Sequence, residues 1–308
     1  MEASITFKSV GKTFLNNNLL ADLSFGVEKG STFVLIGKNG SGKSIILKML
    51  VGLISKDTGS IYLDGKDVET RSLETRSLTG YMPQYIDLDD EISVYENLVI
   101  HGQLHGLTSK EARKEILYWS ELMEFSNLLN HRIDFLPYGI QRRIQFVRTI
   151  LHNPSIIILD EPTTALDPHS RKSIWNVLDK LHENHTIIFA TQNFREAERY
   201  ADRIAILNDG NIKMDGTLER LIETTHGLTR YKLIFSKQPS EKFLSDISKF
   251  PRIVKAKLSG LELEFYSRER KQFFNLLKIA LEHDLADLDT SLCRLNDLFI
   301  GLIDGGLE

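Results

Sequence analysis

Residues 37–44 read Gly-Lys-Asn-Gly-Ser-Gly-Lys-Ser, set directly between an apolar run at 31–36 and a helically periodic run at 45–53. A strand that enters a glycine loop and leaves as a helix wraps its backbone around a phosphate, and the order demands a parallel α/β sheet. Gly37, Gly40 and Gly42 permit the tight turn, while the amides of Asn39, Gly40, Ser41 and Gly42 and the helix start through Ile45 supply positive potential. Lys43 reaches toward the β- and γ-phosphates of ATP, and Ser44 is placed to bind a magnesium ion.

A second run, "SIIILDEP" at 155–162, supplies the complementary half. An apolar parallel strand ending in Asp160 puts a carboxylate at the sheet edge beside the phosphate loop, where it would hold magnesium through water. Glu161 is then the candidate to polarise the attacking water.

With these two motifs in this order, the sequence resembles the ATP-binding subunits of ABC transporters over about residues 4–222. The resemblance places Phe14 where the family stacks an aromatic ring on adenine, a contact that suits a π-face on a nucleobase; the alternative for Phe14 is a core position at a strand end. It places Gln84, in "GYMPQ", at the glutamine that touches magnesium and the attacking water and links the site to the membrane partner. "ISVYENL" resembles the segment at the groove that receives the transporter's coupling helix. "TTALDPHS", centred on Ala165, Leu166 and Asp167, resembles the loop that crosses to the second subunit.

Two positions depart from the family pattern. Where a Leu-Ser-Gly-Gly-Gln type signature opens the helix that clamps the other subunit's γ-phosphate, this chain reads Leu136, Pro137, Tyr138, Gly139, Ile140. Pro137 brings neither a serine hydroxyl nor a backbone N–H, whereas Gly139 and the helix start keep a weaker anion site. In "FATQNF", Gln192 stands where the family usually carries a histidine; its amide can hydrogen-bond a phosphate but cannot become a cation or accept a proton. The expectation is normal ATP binding with slow hydrolysis by a homodimer, relieved by a partner with a complete signature. The alternative is that Gly139 and the helix end suffice.

Elsewhere strands and helices alternate, with a strand at 4–10, a charged helical stretch from about 94 to 129 whose inner face carries Ile116, Trp119 and Met123, a helix in 170–183, and strands at "HTIIFATQ" and "RIAILNDG". In "QRRIQFVR", Ile140, Ile144, Val147 and Leu151 form an apolar helical face, which leaves Arg142, Arg143 and Arg148 to a solvated or subunit-facing side. After residues 225–229 the order becomes β-α-β-β-α-β, that of a small ferredoxin-like sheet. The expected architecture is therefore α/β: a P-loop ABC-type nucleotide-binding domain over 1–225 with a helical subdomain at about 85–155, and a small α+β domain over 229–308, accessory or regulatory.

Composition closes off some functions. The 308 residues, 42% of them hydrophobic, suffice for one large core and one small one. No apolar run approaches the roughly 18 residues of a spanning helix, and the opening residues lack a basic start followed by an apolar stretch. A net charge of −4 argues against a partner held by phosphate neutralisation, so no nucleic acid is expected. The lone cysteine, Cys293, cannot close an internal disulfide, which suits a reducing compartment. The resemblance then implies an ATPase on the cytoplasmic face of a membrane, paired with a second ATP-binding subunit and an integral permease. The tail "TSLCRLNDLFIGL" resembles the Ser-Leu-x-Asp-x-Phe ending of exporter ATPases of the multidrug, antibiotic-resistance and copper-processing branches. An importer with a regulatory C-terminal domain, a non-transport ABC ATPase and an ATP-switched binding module stand as alternatives.

Overall fold

In a computed structural model, the described residues are 3–14, 17–223, 229–239, 243, 253–267, 276–278, 280–281, 284–292 and 294–303. The chain divides into two compact units, Met1–Asp215 and Gly216–Glu308. This division lies ahead of the expected 225–229, because the helix α8 (Leu218–Glu223) packs with the last helix, α9 (Leu295–Ile303), inside the second unit.

The first unit is built on two sheets. One is a four-stranded antiparallel sheet of β1 (Ala3–Phe14), β2 (Asn17–Glu28), β4 (Thr58–Leu63) and β5 (Lys66–Asp67), in the order β2-β1-β4-β5. The other contains β3 (Thr32–Ile36), β6 (Thr79–Met82), β7 (Ile156–Asp160), β8 (Thr186–Thr191), β9 (Arg203–Asn208) and β10 (Asn211–Gly216), ordered β10-β9-β3-β8-β7-β6. The neighbouring pairs from β9 to β6 run parallel. Strands β3, β7 and β8 are buried along their whole length, as β-branched runs in a sheet covered on both faces must be. The helix α1 (Lys43–Leu50) lies in the core between the sheets, where Ile46, Leu47, Met49 and Leu50 meet Ile5, Phe7 and Phe25 from one side and Leu35, Ile158 and Ile188 from the other. Each such buried side chain contributes about 1.5–3 kcal/mol relative to exposure, so the phosphate loop is anchored at both ends in a buried apolar core.

The sequence reading did not find β2. Its inward residues, Leu20, Leu23, Phe25 and Val27, miss strict alternation because the pairing with β1 is broken by register shifts around Val10 and Lys12.

The helical layer consists of α3 (Val94–Leu104), α4 (Ser109–Leu122) and α5 (Tyr138–Ile150), with short 3-10 turns at Ser126–Leu128 and Ile133–Phe135. The expected single helical stretch is interrupted because Gly106 takes a φ of 90° and Thr108 starts a new helix. Ser93 with Glu96, and Thr108 with Glu111, form reciprocal capping boxes. On α4 the fully buried positions are Ala112, Ile116 and Ser120, while Trp119 is half-buried.

The second unit carries a four-stranded antiparallel sheet of β11 (Thr229–Phe235), β12 (Ile253–Ser259), β13 (Glu262–Ser267) and β14 (Leu285–Leu292), ordered β12-β13-β11-β14. Tyr231, Leu233 and Phe235 alternate onto one face with Leu263 and Phe265, and Phe243, Leu276 and Ala280 pack on it. The segments 244–252 and 268–275, where most of the two expected helices fall, and Cys293 lie outside the described residues.

Candidate functional site

The phosphate loop turns on two glycines with positive φ, 80° at Gly40 and 106° at Gly42. A Cβ at Gly42 would stand 2.7 Å from Leu20 Cδ2, and one at Gly37 would stand 2.5 Å from the carbonyl oxygen of Leu207. Both contacts are closer than carbon tolerates, so the sheet can approach the loop only at glycine. Ser41 N–H donates to Lys38 O at 3.2 Å, and the amides of Ile45 and Ile46 donate to Gly42 O at 3.1 Å. Lys43 folds back, its Nζ donating to Gly37 O at 2.8 Å and Lys38 O at 3.0 Å. Burial lowers its pKa, opposed by the charges of Glu161 and Asp160.

Asp160, 1% exposed at the end of β7, stands beside this loop. Burial raises its pKa; a hydrogen bond from Ser44 pulls the other way, Glu161 raises it further and Lys43 and Lys48 lower it. Its Oδ1 has no hydrogen-bond partner among the described residues. A buried carboxylate oxygen left open next to a hydroxyl is the donor set a hard divalent cation takes.

Glu161 follows in a left-handed conformation, φ 49°, and Ala165 adopts another at 61°. Two such non-glycine residues so close together mark a backbone held in shape by its surroundings. Glu161 N–H donates to Ala190 O at 2.9 Å, and its carboxylate accepts from Thr164 Oγ1 at 2.8 Å and Gln192 Nε2 at 3.2 Å. Gln192 Nε2 also donates to Asn39 Oδ1 at 2.6 Å, closing a bridge from β8 to the phosphate loop. Behind it, Glu196 is buried and accepts from Thr163 Oγ1 at 2.6 Å and Thr191 Oγ1 at 3.3 Å. The sequence reading missed Glu196: one of the acids in the charged stretch "FREAERYAD", it reads as helix surface until β8 and the loop at Thr163 close over it.

Phe14 ends β1 and is 61% exposed, so it is not a core residue. Gln84 follows β6 and is exposed, with its carbonyl held from α5. The expectation of outward-facing arginines on α5 fails at two positions. Arg142 is fully buried and Arg143 nearly so. Arg142 NH1 donates to Pro83 O at 2.8 Å, Gln84 O at 3.2 Å and Gln145 Oε1 at 3.0 Å, and NH2 donates to Glu161 O at 3.0 Å. Gln145 Nε2 adds bonds to Tyr85 O at 2.8 Å and Asp87 Oδ1 at 2.6 Å. The forked guanidinium thus satisfies carbonyls of two loops that would otherwise be buried unpaired. That need overrides the amphipathic pattern.

At the start of α5, Pro137 is the N-cap and offers no side-chain acceptor. A Cβ on Gly139 would fall 2.8 Å from Ser170 Oγ and 2.9 Å from Asp167 Oδ2. Asp167 itself caps α6 (Pro168–Leu181), accepting from the amides of His169 at 2.9 Å and Ser170 at 3.0 Å. Leu136 and Leu166 are buried, whereas Pro137, Tyr138 and Ala165 are exposed.

A glycine loop between a parallel strand and a helix, with an open carboxylate at the end of a strand of the same sheet and a second acid behind it, defines a P-loop nucleotide-hydrolysing protein. The ABC transporter family model matches residues 20–164. A Nod factor export ATP-binding protein I of Rhizobium sp. (strain N33) is 34% identical over 88% of this chain and 88% of its own length. A protein of the same name from Burkholderia lata is 35% identical over 73% of this chain and 74% of its own. Among solved structures, an ATP-binding subunit of an ABC transporter superposes with a TM-score of 0.69 at 26% identity, over 72% of this chain and 93% of that one. An ATP-binding cassette in a dimeric post-hydrolysis state with ADP and Pi superposes with a TM-score of 0.65 at 26% identity, over 70% and 98%. The chain belongs to the ATP-binding proteins of ABC transporters, and it is an ATPase. Among the described residues, no helix is long and apolar enough to cross a membrane.

Proposed function

We propose that this chain is the ATP-hydrolysing subunit of an exporter, closing on a second ATP-binding subunit around ATP and driving a separate integral permease from the cytoplasmic face of the membrane. The observation that carries the reading is Asp160, buried with one oxygen open beside Ser44 and Lys43. In this reading the amides of the phosphate loop and Lys43 hold the phosphates, Phe14 stacks on adenine, and Ser44, Asp160 and Gln84 hold Mg2+. The ion, when bound, neutralises phosphate charge. Glu161 accepts a proton from the attacking water while Gln192 fixes its carboxylate against Asn39.

The opposite subunit contributes Leu136, Pro137, Tyr138 and Gly139, with Ala165, Leu166 and Asp167 at the crossing. Pro137 supplies no donor and Asp167 places a carboxylate against Gly139, so a pair of identical chains hydrolyses ATP slowly. Export is supported by the names of the relatives from Rhizobium and Burkholderia. The second unit is proposed as a ferredoxin-like accessory domain. Its antiparallel strand order, with the first and third strands central, and a core formed on one sheet face support that topology.

The test is fractionation of the native chain from its own cells. Recovery with membranes, and co-purification with a multi-span protein released by detergent, is the expected result. Recovery in soluble or ribosomal fractions alone would overturn the transport reading.

A further inference from the structure

Away from the nucleotide site, a cleft of about 420 Å3 opens beside β6, lined in part by Thr79, Tyr81, His101, His105, Arg148 and His152. His101 lies in the last turn of α3 and His105 is its C-cap, the i, i+4 spacing that puts two side chains on one face. His152 arrives from the turn after α5. The rings of His105 and His152 stack with centroids 3.8 Å apart, and His101 stands 4.5 Å from His105 and 5.8 Å from His152. One nitrogen from each of the three lies within 4.8 Å of the other two.

The hydrogen bonding of these rings is incomplete in one direction. His152 Nε2 is 3.1 Å from the carbonyl oxygen of Thr79. A carbonyl only accepts, so Nε2 carries the hydrogen and Nδ1 keeps its lone pair. That Nδ1 is buried with no partner among the described residues, and so is Nε2 of His101. A histidine whose far nitrogen donates to a backbone carbonyl, leaving the near one open, is oriented as metal-ligating histidines are. Burial holds His101 down to about 3 and His152 to about 4, and lowers His105 as well, so all three rings are neutral at physiological pH. The Arg148 charge nearby is answered by an ion pair with Asp87.

We propose that His101, His105 and His152 form a binding site for a zinc-class divalent transition-metal ion, with three imidazole ligands and a fourth position open to the cleft. Three neutral nitrogens without a carboxylate suit zinc and its neighbours and disfavour magnesium or calcium, which prefer oxygen. Tetrahedral zinc with bonds near 2.0–2.1 Å needs nitrogens about 3.3 Å apart. Reaching that spacing from nitrogens within 4.8 Å of one another requires the rings to rotate and His105 to unstack from His152. The bound ion would join α3 to the turn after α5 beside Thr79, fastening the helical layer to the edge of the parallel sheet.

The test uses the full chain without an affinity tag, stripped with a chelator and titrated with Zn2+ against a chromophoric competitor. A parallel titration with Co2+ is followed by visible absorption. The proposal expects one equivalent per chain and the intense bands of tetrahedral cobalt. His105→Ala and His152→Ala should each weaken zinc binding by at least about 100-fold. Zinc should also raise the melting temperature of the wild type and leave that of His105→Ala unchanged, with ATP binding retained in both as the control for folding. Substoichiometric binding, or binding that none of these substitutions alters, would place the metal on other histidines and overturn the proposal.

Discussion

Gln192 Nε2 donates to Glu161 Oε1 at 3.2 Å and to Asn39 Oδ1 at 2.6 Å, so a single neutral amide ties the acid behind β7 to the phosphate loop. In the proposed mechanism this amide sets the direction of the Glu161 carboxylate but cannot itself take a proton. Gln192→Ala should therefore lower turnover by about 10- to 100-fold, the worth of a hydrogen bond to a charged group, while ATP binding changes little. Gln192→His should introduce a titration near pH 6.5 into the kcat profile. A wild-type profile already showing that titration, or an alanine variant of normal turnover, would contradict the role.

Arg142 is the buried strut between α5, the loop at Pro83 and Gln84, and the carbonyl of Glu161. Arg142→Met should destabilise the first unit by about 3 kcal/mol, since several buried carbonyls lose their donor. Arg142→Lys should recover little of that, because a single ammonium cannot span both loops. Urea unfolding of the three proteins checks this.

The start of α5 packs so closely on α6 that a Cβ at 139 would crowd Ser170 Oγ and the capping carboxylate of Asp167. Gly139→Ala should push Asp167 off the amides of His169 and Ser170 and cost about 0.5–2 kcal/mol of capping. Thermal unfolding reads the loss directly. An unchanged melting temperature would show that Ser170 and Asp167 can rotate aside without cost.

In the second unit, Arg230 NH2 donates to Glu264 at 2.8 Å, and Tyr266 Oη shares its one hydrogen between Glu264 at 2.9 Å and Asp297 at 3.1 Å. The Arg230 hydrogen bond lowers the pKa of Glu264, helped by Tyr266 and opposed by burial. A carboxyl held below its unfolded value stabilises the folded state above about pH 4.5 and loses that contribution as pH falls through the folded value. The second unit should thus weaken at acid pH, and Glu264→Gln should flatten that dependence. Stability measured from pH 3 to 7 on both proteins decides it.

These residues also show what a sequence conceals. The phosphate loop and "SIIILDEP" could be read because their chemistry is local: consecutive residues supply the turn, the amides and the carboxylates. The strand β2 was hidden by register shifts that spoil alternation, and the burial of Arg142 by loops distant in sequence that come to rest on α5. His152 stands far along the chain from His101 and His105, so nothing in the sequence joined them. In the tail, the motif residue Asp297 turns out to be buried, accepting from Tyr266 and from the amide of Arg294 at 2.8 Å. Its role in the fold is to hold α9 against the sheet.

The most direct test of the account is Mg2+-dependent ATP hydrolysis by the purified chain, with Glu161→Gln as the blank and Pro137→Ser beside the wild type. The account predicts slow wild-type turnover, none in Glu161→Gln, and at least a 10-fold rise in Pro137→Ser, within the roughly 2.7–4 kcal/mol that a donor in a tight anionic site supplies. Fast wild-type turnover that Pro137→Ser leaves unchanged would contradict it, and would show that Gly139 and the N-terminal end of α5 complete the site without help.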